Sequence, residues 1–209
     1  MSRSEVRAVV GPQVAALTLV RALMGGALEK KGLEQTVDQA AGRRGVREGL
    51  LHMSEWARGA DLRTGIVPVV CSLGRTAVAG LSITQNGDPA AVAEWLEIQA
   101  RTVREQPVSL TVEYPADSVV VDVAAVFAEE LHESGEADPA ALEARDRRAA
   151  ELVVAWARPG AAMRDHVELL LCAGWFAAVM LAHAFRFDGA RMQEYVESHA
   201  RALILAGRR

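Results

Sequence analysis

Few residues in this chain have the type and spacing to do chemistry. Glu129 and His132 form its one Glu-x-x-His. On a helix that spacing puts both side chains on one face. Helical bundles build di-metal carboxylate centres from two such motifs and a glutamate from each of two further helices. The aligned positions in the other half of the chain are Gly26 and Glu29, so the second half-site is missing. The five histidines, His52, His132, His166, His183 and His199, are scattered. Neither a metal set nor a cofactor is expected, and a metal-dependent enzyme would have to rest on Glu129 and His132 alone.

Glu94 with Glu97, and Glu194 with Glu197, are carboxylate pairs that could share acid–base work. Arg101 and Arg201 follow one turn later, so these read as charged helix faces with i,i+4 ion pairs. Phosphate-cradling glycine motifs and Gly-x-Ser-x-Gly are absent. No catalytic residue is assigned. Arg43, Arg44 and Arg47, and again Arg145, Arg147 and Arg148, cluster on one helix of each half. Glu48, Glu143 and Asp146 dilute them, and no aromatic residue is interleaved for base stacking. The chain has 23 Lys and Arg against 27 Asp and Glu, a net charge of −4. It lacks the basic excess of a sequence-independent nucleic-acid binder. Cys71 and Cys172 stand alone in apolar stretches, without a CxxC, and read as reduced, buried thiols of a cytoplasmic protein.

The elements that position these residues come from a repeat. Shifted by 100 residues, positions 53–103 fall on 153–203 without a gap. Identities include Trp56/Trp156, Ala57/Ala157, Arg58/Arg158, Gly74/Gly174, Leu81/Leu181, Asp88/Asp188, Glu97/Glu197 and Arg101/Arg201. The match implies an internal duplication of a unit of about 100 residues. The expected fold is all-α: two tandem four-helix units, 1–106 and 107–209, packed pseudo-symmetrically into one compact body.

In each unit the apolar periodicity predicts four helices. They span about 14–31, 38–58, 64–84 and 88–105, then 117–133, 138–158, 163–185 and 188–206. The first helix of each unit aligns best at an offset of 103, which pairs Val20 with Val123 and Met24 with Phe127. Asp88, Asp138 and Asp188 are expected N-caps. Residues 108–114 alternate between prolines and read as a short strand or a linker. Residues 6–10 hold the matching place, so one short strand pair is possible.

The third helices carry the largest asymmetry. The stripe Pro68, Ser72, Arg75, Ala79, Ser82 becomes Glu168, Cys172, Trp175, Val179, Ala182, with Phe176 in place of Thr76. With these helices central, either Arg75 and Trp175 meet as a cation–π pair beside a cleft between the units, or the second stripe packs against another helix or a second subunit.

The run 169–185 holds no Asp, Glu, Lys or Arg, but its counterpart carries Arg75 and Pro68, so a central bundle helix is expected and not a membrane span. At the N-terminus Glu5 and Arg21 interrupt the pattern of a secretory signal.

Three functions follow as expectations. The first is a non-enzymatic, cytoplasmic interaction protein acting through protein–protein association. Its partner is another protein or itself as a homodimer, across an exposed apolar patch at Cys172, Trp175, Phe176 and Val179. The second is a small-molecule binder with an apolar pocket between the repeats, oriented by Arg75, Trp175 and His183. The third is the metal-dependent enzyme described above.

Overall fold

A computed structural model describes residues 3–29, 60–105, 116–133, 138–157 and 166–206. Every element among them is helical. Seven α-helices follow one another: α1 (Arg3–Glu29), α2 (Val67–Thr84), α3 (Pro89–Glu105), α4 (Ala116–Ala128), α5 (Pro139–Trp156), α6 (His166–Ala184) and α7 (Gly189–Ala206). A π-helical turn, Leu62–Ile66, leads into α2, and a 3-10 turn, Glu129–His132, extends α4. The fold is all-α.

Residues 6–10, read as a possible strand, lie inside α1 instead. The helix runs on through Pro12, which removes a single backbone donor. The strand reading of 108–114 and the helix expected over 38–58 lie outside the described residues.

Aspartates start the helices as their spacing predicts. Asp88 Oδ1 accepts from the Ala90 and Ala91 N–H groups at 2.9 and 3.3 Å. Asp188 accepts from Ala190 and Arg191, both at 3.1 Å. Asp138 accepts from Ala140 at 3.0 Å, with Pro139 at the first helical position. Asp61 accepts from Arg63 N and from both Thr64 N and Oγ1. These bonds to its charged form hold its carboxyl below the usual range.

Helices α2 and α6 form the centre, packed on each other and both on α1 and α4. Gly80 sets how close they come. A Cβ there would lie 2.8 Å from the Met180 carbonyl carbon and 2.9 Å from the Leu181 nitrogen, so the two backbones touch. Helix α1 of the first half also lies against α7 of the second, and α4 of the second lies against α3 of the first. The halves therefore interleave. Leu73, Leu81, Leu96, Phe127, Leu169 and Leu181 fill the shared core at 2 % exposure or less.

Equivalent positions behave alike. From 69 to 81 and from 169 to 181 the burial class matches everywhere except at 71 and 171. The turns after α2 and α6 make the same backbone bonds one hundred residues apart. Gln85 N–H donates to Leu81 and Gly87 N–H to Ser82. Phe185 N–H donates to Leu181 and Phe187 N–H to Ala182.

Helices α1 and α4 can also be compared at an offset of 104, beside the 103 of the sequence alignment. At 104, Leu19 and Leu23 correspond to Val123 and Phe127. Those pairs do the same job: Leu19 and Leu23 crowd Gly174, and Val123 and Phe127 crowd Gly74. Exposed Arg21 then falls on exposed Ala125, not on buried Ala124.

Candidate functional site

The densest cluster of charge lies where α2, α4 and α5 meet. Arg75 Nη2 is 2.7 Å from Asp146 Oδ1 and 3.3 Å from Glu130 Oε1. Its guanidinium sits 4.1 Å above the Phe127 ring centroid. Arg148 grips Glu129 with two parallel bonds of 2.7 and 2.8 Å. Arg145, itself buried, pairs with Glu133.

The cation–π expectation for Arg75 is corrected here. Its aromatic partner is Phe127, not Trp175. Arg75 directly follows Gly74, the residue against which Phe127 packs.

This network holds α5 in place and leaves little free chemistry. Both Glu129 oxygens are engaged by Arg148, whose hydrogen bonds hold the carboxyl below its ordinary range. Among the described residues no group of three or more His, Cys, Asp or Glu side chains is arranged to hold a metal. The metal-enzyme expectation required further carboxylates around Glu129 and His132, and Glu129 faces an arginine instead.

The depressed Glu129 carboxyl links stability to pH. Such a group stabilises the fold above its unfolded titration range and loses that contribution as pH falls through the folded value. Replacing Arg148 with alanine is therefore expected to lower the melting temperature slightly at pH 7, the pair being half exposed. The difference from the parent closes below about pH 4. Thermal melts from pH 3 to 7 check this, and a constant difference contradicts it.

Both thiols are raised above their ordinary range. Burial pushes Cys71 up to about 12, with the Asp146 charge adding to it. Burial and then Asp117 push Cys172 to about 12.

The stripe on α6 differs from the expected open patch. Cys172, Trp175, Phe176 and Val179 are all half-buried. The Phe176 ring stacks on Trp95 of α3, centroids 6.2 Å apart and planes 28° from parallel. The large hydrophobics exposed among the described residues are Ile83, Ile98, Ile204 and Leu205.

The three residues assigned to a ligand lie on two helices, Arg75 on α2 and Trp175 and His183 on α6. Arg75 is engaged with α4 and α5. Trp175 and His183 lie eight residues apart on α6, about 12 Å along its axis. His183 meets Phe187 edge-on at 4.9 Å.

A second cluster, not read from the sequence, gathers at the turn between α6 and α7. Phe185 meets Tyr195 at 5.2 Å, and Tyr195 meets His199 at 4.3 Å. The Arg191 guanidinium lies 6.0 Å from the Phe185 ring. Burial pushes the Tyr195 phenol up.

The backbone beneath this cluster is unusual. Arg186 and Phe187 hold φ of 52° and 62°, in the left-handed region. The equivalent residues are Asn86 and Gly87, the types that adopt that region readily. A usable signal was available in the sequence: an Asn-Gly turn replaced by Arg-Phe in an otherwise matched position.

No protein family, curated protein or solved structure matches this chain.

Proposed function

We propose that this chain is a non-enzymatic, cytoplasmic interaction protein that binds another protein chain through the α6–α7 turn. We also infer that its halves are copies of one ancestral unit, fused so that a former two-fold body is now a single chain. The matched turns, the matched burial and the reciprocal packing of α1 on α7 and α4 on α3 support that origin.

The turn carries the association reading. A bulky Phe187 in the left-handed region costs on the order of 1 kcal/mol or more. The other half avoids that cost with glycine. Retained strain is characteristic of functional positions. The strain here sets an amphipathic group of Phe, Tyr, His and Arg side chains at the surface, a composition typical of residues that dominate protein interfaces. The pocket reading has less support, because α2 and α6 meet backbone to backbone at Gly80, on the seam where a ligand would have to sit.

The double variant Arg186→Asn, Phe187→Gly tests this. Relief of the backbone strain is offset by the lost packing of the half-buried Phe187 ring, so the melting temperature is expected to change little. It should also lose the associated chain. Native mass spectrometry on gently purified parent protein should retain a second polypeptide or a second copy, and the variant should not. A parent that stays a bare monomer, with nothing captured from host extract, overturns the reading. A retained small molecule would favour the pocket instead.

A further inference from the structure

We propose that the α6–α7 turn binds an acidic segment of a different protein, whose Asp or Glu carboxylates are held by Arg186 and Arg191. This rests on the association reading above and names the chemistry of its partner. Both arginines are exposed. Among the described residues neither guanidinium meets a carboxylate, whereas eight other arginines do. Asp188, the acidic residue between the two, turns to the backbone instead, where its Oδ1 accepts from the Ala190 and Arg191 N–H groups. Arg191 lies 6.0 Å from the Phe185 ring centroid. A guanidinium placed over a ring face keeps its in-plane N–H donors free for a carboxylate.

Charge gives the partner its sign. Residues 183–191 hold two arginines against one aspartate, whereas 83–91, which make the same turn hydrogen bonds, hold Asp88 and no Lys or Arg. The chain as a whole carries a net charge of −4. An acidic segment is therefore repelled by the surface at large and attracted at this turn, which steers it to one place. The half-buried Phe185 and Tyr195 rings, with centroids 5.2 Å apart, border Arg191, which sits one helical turn before Tyr195. Rings that exclude water beside a guanidinium strengthen its bonds to a carboxylate, because the local dielectric falls. A phosphate backbone is the other anion that arginines take. Its binding grows with the number of basic contacts, and this turn has no third Lys or Arg to supply one. A short acidic peptide is the better match in charge.

A fluorescein-labelled random copolymer of glutamate and tyrosine is the probe. It should bind the parent, and the double variant Arg186→Gln, Arg191→Gln should weaken that binding about tenfold or more without moving the melting temperature. Arg63→Gln removes another exposed arginine that meets no carboxylate among the described residues, and it should leave binding unchanged. Raising the salt from about 0.05 to 0.5 M should weaken binding by the parent. No binding by the parent, an equal loss in Arg63→Gln, or binding that the double variant keeps overturns the proposal. Single-stranded DNA that competes as well as the copolymer overturns it in favour of a nucleic acid. Native mass spectrometry separates this proposal from the association reading. If parent and double variant both retain a second polypeptide, the acidic segment is refuted while association stands. A retained polypeptide that is a second copy of this chain also refutes it. A bare parent that binds no copolymer refutes both.

Discussion

Phe127→Ala is expected to cost about 3–5 kcal/mol, the range for emptying a fully buried aromatic site. For a chain of this length that is a drop of roughly 6–20 °C in melting temperature. Phe127 is 1 % exposed and serves two neighbours. Its ring edge lies 3.2 Å from where a Cβ on Gly74 would be, so it fills the notch that this glycine opens in α2. Its face supports the Arg75 guanidinium, which then reaches Asp146 and Glu130. Removing the ring leaves a cavity and loosens the support of the ion pairs that hold α5. Phe127→Leu should cost much less, since it keeps most of the volume. If the alanine and leucine variants melt together, the ring is not the keystone described here.

Gly80→Leu is expected to be as damaging for the opposite reason. Overpacking a tight site costs typically 1–3 kcal/mol, and more where nothing can move aside. At Gly80 the obstacle is the Met180 and Leu181 backbone, which has no rotamer to change. Helices α2 and α6 would have to separate along the centre of the molecule. Gly80→Ala should show the same sign to a smaller degree, despite the gain of about 1 kcal/mol in helix propensity. Gly25 is the control: it is exposed on α1 with open space around it, so Gly25→Ala should stabilise. Gly80→Ala and Gly25→Ala with the same sign would show that propensity, not the helix crossing, governs both sites.

The helices were legible because their signals are local. Asp88, Asp138 and Asp188, followed by Pro, Pro and Gly, cap their helices, and each sits at the end that the sequence assigned to it. The centrality of α2 and α6 was legible from their continuous apolar character. Both are long and apolar enough to cross a membrane by length and composition, yet 61 % and 50 % of those stretches are buried in this body.

The partner of Arg75 was not legible. Choosing Phe127 over Trp175 depends on the rotation of α4 about its axis, and one residue of register turns a helix by about 100°. That same residue separates the offset of 103 from 104. The strained turn was missed for another reason. Sequence patterns assign left-handed backbone to Asn and Gly, so Arg186 and Phe187 gave no local sign of it.

The packing of α1 against α7 has a consequence for how this protein is made. Residues 3–29 can meet α2 early, but their contact with α7 forms only when residues 189–206 have been synthesised. At ordinary translation speeds that wait is on the order of ten to thirty seconds. For most of it α1 also lacks α6, where Leu19 packs on Gly174. The second half has no such delay, because α4 meets α3 a few residues downstream of it. Helix α1 therefore gains its full set of neighbours only after α7 has been made.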